Sequence, residues 1–177
     1  MLFSVLKGGE YSLWTYSVRD RKASPFGDVR SSIPTDAGFS ADGRWVAYSG
    51  GPFADASILV QPFPSTGAKY ELPRSGRGVP HHPLWSPDGT LVFNQRAGYV
   101  DVVSVATSPT PAFGKTVSAP RKFQTGPPSV RRAFDAMPDG RLVGLIVPGD
   151  PEDISTFRQF NVVLNWFDEL KARVPAR

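Results

Sequence analysis

The sequence predicts an all-β fold, a partial β-propeller of about 3.5 four-stranded blades with a short C-terminal helix, and three observations predict it. First, Asp42-Gly43, Asp88-Gly89 and Asp139-Gly140 stand 46 and 51 residues apart, close to the roughly 40–50 residues of one propeller blade. Second, apolar and β-branched runs flank each pair, as in Trp45-Val46-Ala47-Tyr48 and Leu91-Val92-Phe93. Third, 18 prolines and 17 glycines punctuate 177 residues, which suits many short strands joined by turns. An all-β sandwich is the alternative architecture for the same pattern.

Composition narrows the function classes. A chain of 177 residues with 40% hydrophobic content can bury one sizeable core and is too short for two large domains. The formal charge of +4 comes from scattered residues with no run of five like charges. Nucleic-acid binding needs a concentrated basic face, so no nucleic-acid partner is expected. The absence of cysteine excludes disulfides, thiol nucleophiles and cysteine-ligated zinc. The apolar opening Met1-Leu2-Phe3-Ser4-Val5-Leu6 meets Lys7-Gly8-Gly9-Glu10 too soon for a signal peptide or a membrane span. No membrane segment is expected, and a periplasmic or cytoplasmic location would follow from the parent protein.

The expected units run in order along the chain. Residues 1–30 form a partial blade, with strands at 2–6 and 12–18 and an edge at 23–26. This unit lacks its own Asp-Gly hairpin, so the chain is expected to begin inside a blade. Residues 31–74 form a complete blade: the Asp42-Gly43 hairpin, a third strand at 57–61 and an edge at Tyr70-Glu71-Leu72. Residues 75–126 repeat the plan with Asp88-Gly89, a strand at 99–105 and an edge at Arg121-Lys122-Phe123. Residues 127–164 hold Asp139-Gly140 and a final strand at Phe160-Asn161-Val162-Val163-Leu164. Residues 165–174 are expected to be a helix, with Asn165 as cap, Asp168 and Glu169 in the first turn, Lys171 and Arg173 in the last, and Pro175 beyond.

Asp42, Gly43, Asp88, Gly89, Asp139 and Gly140 are read as structural turn residues. Pro87 and Pro138 preset the first turn position, each aspartate accepts hydrogen bonds from nearby amides, and each glycine supplies the positive φ that closes the turn. Ala41 stands where the other two hairpins carry proline.

These hairpins, the Val60-Gln61-Pro62-Phe63-Pro64 run and the ending Val162-Val163-Leu164-Asn165-Trp166-Phe167-Asp168-Glu169-Leu170-Lys171 resemble the bacterial WD-repeat-like propellers related to TolB. The ending resembles the C-terminal propeller region of large proteins in which a serine/threonine protein kinase domain, or a winged-helix regulator, precedes the repeats. The resemblance implies a propeller of typically six or more blades used for protein interaction or ligand sensing, with any catalysis in a missing upstream domain. It departs from the family pattern at Ala41, at Met137 in place of serine, and in the missing N-terminal blades. None of the kinase elements is present: no Gly-rich loop, His-Arg-Asp or Asp-Phe-Gly occurs in the sequence.

Other chemistry is weakly signalled. A Gly-x-Ser-x-Gly elbow is absent. His81 and His82 are the two histidines, and neighbours on a regular strand point to opposite faces, so they are expected in a loop without a shared ligand. The three turn aspartates are explained by their turns and not by calcium, and Gly76-Arg77-Gly78 lacks the following helix of a phosphate loop. No metal, cofactor or catalytic residue is therefore assigned. The remaining candidate site is the channel mouth of a propeller, where segments leading into the innermost strands gather. It would comprise Arg74, Arg77, His81 and His82 before one blade and Arg131 and Arg132 before the next, a cationic set for a carboxylate, a phosphate or an acidic peptide.

The function expected is a non-catalytic module for protein interaction or ligand sensing. Its partners are a protein or peptide, the remaining blades of the parent, or a second copy in a homodimer through open blade faces. The alternatives are the propeller that gates a serine peptidase whose hydrolase domain is absent here, and a structural half-ring that self-assembles. The Arg173-Val174-Pro175-Ala176-Arg177 ending disfavours a following hydrolase.

Overall fold

Among the described residues four antiparallel sheets follow one another along the chain, three of them beginning at a strand that runs into an Asp-Gly hairpin. The computed structural model describes residues 1–146 except 75, 77, 109 and 121. The expected strand at 160–164, the expected helix at 165–174 and Arg77 lie outside the described residues. Within them the protein is all-β apart from one 3₁₀ turn, Phe53–Asp55.

The first sheet is a meander of β1 (Leu2–Lys7), β2 (Glu10–Ser17) and β3 (Lys22–Pro25). The second runs β4 (Ala37–Phe39), β5 (Trp45–Gly50), β6 (Ser57–Pro62) and β7 (Tyr70–Glu71), each paired with the next. The third contains β8 (His81–Trp85), β9 (Thr90–Arg96) and β10 (Tyr99–Ala106), with β11 (Ala112–Phe113) and β12 (Val117–Ser118) both paired to β10. The fourth pairs β13 (Phe134–Ala136) with β14 (Leu142–Gly144). The outer edge of the third sheet thus falls at 117–118; of the edge expected at Arg121-Lys122-Phe123, Lys122 and Phe123 are outside any strand and Arg121 lies outside the described residues. Pro120 has no N–H to continue a ladder, and Phe123 instead turns into the core, its amide bonded to the Gly98 carbonyl at 3.0 Å.

The hairpins share one geometry. Gly43, Gly89 and Gly140 take φ of 70°, 84° and 82°, and their amides donate to the carbonyls of Ser40, Ser86 and Met137 at 2.9, 3.0 and 2.9 Å. Each aspartate then accepts the amide of the residue two positions on, Arg44 at 3.1 Å, Thr90 at 3.0 Å and Arg141 at 3.1 Å. The turn fixes strand register, and register decides which side chains face which neighbour.

Alternation along the strands builds three cores between successive sheets. Val46 and Tyr48 of β5 face the first sheet with Leu13, Phe26 and Val29. Ala47, Ile58 and Val60 face the third with Leu91, Phe93 and Val103. Val92 and Val100 on the other side of the third sheet meet Phe123 and Phe134. The second and third sheets are therefore buried on both faces, which is why β5, β6 and β9 read as near-continuous apolar runs. The first strands of the four sheets lie beside one another, β1 by β4, β4 by β8 and β8 by β13.

Candidate functional site

β8 begins His81-His82-Pro83, and this triplet breaks the regular strand. Pro83 cannot donate to the ladder, and the register with β9 shifts between His81 and Leu84. His82 takes φ of 55°, a left-handed conformation that a non-glycine residue holds only when its surroundings over-determine it. The bulge overturns the expectation of opposite faces: the two rings stand 4.5 Å apart between centroids at 77°, with Nδ1 of one 2.5 Å from Nδ1 of the other. They lie in a strand and not in a loop.

Three elements enclose His82, which is 1% exposed. Its Nε2 lies 2.7 Å from the Val130 carbonyl, on the segment leading into β13, and 3.0 Å from Oδ2 of Asp36, immediately before β4. Thr35, next to Asp36, reaches Oγ of Ser4 on β1 at 2.7 Å. The polar groups at the leading ends of β1, β4, β8 and β13 thus form one seam across all four sheets. Buried polar groups must find partners, and this seam supplies them. His81, 6% exposed, is held neutral: burial pushes its pKa down to about 4, helped by His82 and opposed by the carboxylate of Asp36.

His81 also forms part of the wall of a cavity of about 310 Å³. Phe53 of the 3₁₀ turn, Val79, and Pro127 and Pro128 from the connection to the fourth sheet supply apolar wall, and Arg96 at the end of β9 supplies charge. The Arg96 guanidinium lies 3.8 Å from the centroid of the Tyr99 ring, which orients it.

The other residues expected at the mouth are more dispersed. Arg74 is paired with Asp55 at 2.7 Å on the surface. Arg132 donates to the Phe134 carbonyl at 2.9 Å and sits 3.6 Å from Asp135, while Arg131 is exposed. The segments 81–82 and 130–132 do meet, through the Val130 carbonyl and not through guanidinium groups. Asp36 was not singled out by sequence; its position before the first strand of the second sheet, like that of Val130 before β13, is the signal that finds it.

The turn aspartates belong to the opposite ends of the same strands. The Ser40 hydroxyl, then the amide and side chain of Arg44, hold Asp42 down to about 2. The Thr90 amide and hydroxyl likewise lower Asp88. Among the described residues no three His, Asp or Glu side chains are grouped to hold a metal, and no helix is long and apolar enough to cross a membrane. No family model matches the chain, and no curated protein matches it.

Proposed function

We propose that the chain is a stretch of a TolB-like or WD-repeat-like β-propeller, a non-catalytic module for protein interaction or ligand sensing that forms the C-terminal part of a larger bacterial signalling protein. The observation that carries this reading is the succession of first strands, β1 by β4 by β8 by β13, the first three opening antiparallel sheets that each pack face to face on the next and the last opening a hairpin. Inner strands of neighbouring blades adjoin in this way, and the seam from Ser4 to Val130 would lie along the channel mouth. Arg131 and Arg132, beside that seam, would receive a carboxylate or phosphate of a partner.

The test is calorimetric titration of the purified chain with a glutamate-rich peptide, before and after Arg131→Ala and Arg132→Ala together. Binding that weakens by about tenfold or more supports the reading; affinity unchanged by the double substitution overturns it. A second reading, in which two copies complete one ring, is favoured by the exposed Phe3 and Leu6 of the first sheet, Val143 of the last and Leu145 just after it. Light scattering separates the two: a stable dimer supports self-assembly and a monomer rejects it.

A further inference from the structure

Leu13, Thr15 and Ser17 alternate along β2 and so share the face that packs on the second sheet. Leu13 is buried there against Val46 and Tyr48. Thr15 and Ser17 are polar, and so are their partners on β3, Ser24 and Lys22. Between the second and third sheets the same hairpin end is filled by Trp45 and Tyr70, edge to face at 6.1 Å, together with Val105 and Phe113. Between the first and second sheets it is left open as a groove of about 740 Å³, with Phe39 and Phe63 lining the side of the second sheet.

Phe63 directly follows β6, its amide donating to the Arg44 carbonyl at 2.7 Å and its ring 5.0 Å from that of Phe39 and 6.2 Å from that of Phe26. Two rings and a backbone bond hold it in place, yet it stays 38% exposed. An apolar ligand therefore gains contact area here without having to order a side chain. The hydroxyls opposite are already satisfied: Thr15 bonds Ser24 at 3.2 Å, and Ser17 donates to Oδ2 of Asp20 at 2.8 Å. Charge is left to select the ligand. Arg19 and Lys22 line the groove against one carboxylate, Asp20, and among the described residues neither cation is in an ion pair. A second cation would be repelled, whereas an anion meets two unpaired positive groups. The volume lies well inside the range of ligand pockets and accommodates a bicyclic ring with its acid group.

We propose that this groove binds an aromatic carboxylate, its ring against Phe39 and Phe63 and its charge met by Arg19 and Lys22. The groove lies at the hairpin ends of the strands, whereas Arg131 and Arg132 stand beside the seam at the leading ends. Loss of glutamate-peptide binding in the Arg131 and Arg132 variant and loss of aromatic-acid binding are therefore separate results.

The experiment is a titration of the isotope-labelled full chain at about pH 7, where a carboxylate is ionised. 2-Naphthoate is compared with 2-naphthamide, which has nearly the same shape and no charge, and the amides of Val18 and Phe63 in the groove wall report binding. Naphthoate is expected to bind at least about fivefold tighter than the amide at low salt, a preference that shrinks as salt is added. Arg19→Gln with Lys22→Gln should abolish the preference; both side chains are exposed and unpaired, so the variant should fold as the wild type does. Phe63→Ala should weaken both probes by about threefold or more. Equal affinity of the wild type for the two probes, no shift of either amide with naphthoate, or a preference that survives the double substitution would each overturn the assignment. Within the supporting result, tighter binding of acetyl-glycyl-phenylalanine than of naphthoate marks a polypeptide C-terminus as the source of the acid, and weaker binding marks a small molecule.

Discussion

At the hairpin ends of the first strands, Asp42, Asp88 and Asp139 are each held by groups no more than two residues away. At the leading ends of the same strands, Thr35 reaches back 31 residues to Ser4, and His82 reaches forward 48 residues to Val130. The difference separates two tasks. A local turn fixes the register of one hairpin and forms whenever that hairpin forms, whereas the seam exists only when sheets distant in sequence have docked. Damage at one end should therefore loosen a turn, and damage at the other should loosen the arrangement of sheets.

His82→Ala is the strongest test of that division. The substitution leaves the Asp36 carboxylate, the Val130 carbonyl and Nδ1 of His81 without their shared partner, at a cost of about 2–4 kcal/mol. Alanine keeps the unfavourable φ of 55°, so His82→Gly should recover about 1 kcal/mol of the loss. Urea unfolding measures both. A loss below about 0.5 kcal/mol for His82→Ala, the size expected of an ordinary surface change, would mean that the seam does not hold the sheets together.

Acidification should open the two ends in different windows. His81 titrates at about 4 in the folded protein and 6.5 when unperturbed, so the unfolded chain binds its proton first and stability falls as pH drops from about 6.5 to 4. Asp42, held at about 2 against 3.8, contributes stability that is lost only as pH falls from about 3.8 through 2. Hydrogen exchange should show the amide of Leu84 losing protection in the first window, while Gly43 and Trp45 keep theirs until the second. Simultaneous loss at both ends would show that the sheets and the turns unfold as one unit.

The same contrast explains what was legible in the sequence. The order of strands and the turns at Asp-Gly follow from residues within a few positions of each other, so periodicity and turn chemistry reach them. Strict alternation puts the two histidines on opposite faces because it assumes a regular strand. Pro83, directly after them, is the sign that the strand is bulged. Asp36 and the Asp55 partner of Arg74 could not be paired from sequence, since each contact depends on how one sheet lies on another. The edge lies at Val117–Ser118, ahead of the apolar Phe123 that suggests a later one, because Pro120 ends the ladder.

Glycine substitutions sharpen the comparison at smaller cost. A side chain at Gly89 meets open space, so Gly89→Ala should cost only the strain of a positive φ, about 1 kcal/mol. A Cβ at Gly78, on the segment leading into β8, would overlap the Gln95 carbonyl oxygen, and its φ of 125° is also unfavourable. Gly78→Ala should therefore cost about 2 kcal/mol or more. Equal thermal shifts for the two variants would show that the leading end is no more tightly fitted than the turn.

The smallest effect should come from Arg141→Gln. The Arg141 guanidinium lies 2.8 Å from Oδ2 of Asp139, but the two side chains are 73% and 51% exposed. Water and salt screen such a pair, and holding a long side chain in place costs entropy, so the net contribution is below about 0.5 kcal/mol. The amide of Arg141, which the substitution leaves intact, still donates to Oδ1 of Asp139 at 3.1 Å. Thr90 occupies the equivalent place after Gly89 without any charge and still satisfies Asp88 through its amide and hydroxyl. The turn therefore depends on its backbone donor and not on the ion pair. Unfolding midpoints for wild type and Arg141→Gln should coincide at low and high salt, and a salt-dependent loss would assign the hairpin ends an electrostatic role that their geometry does not require.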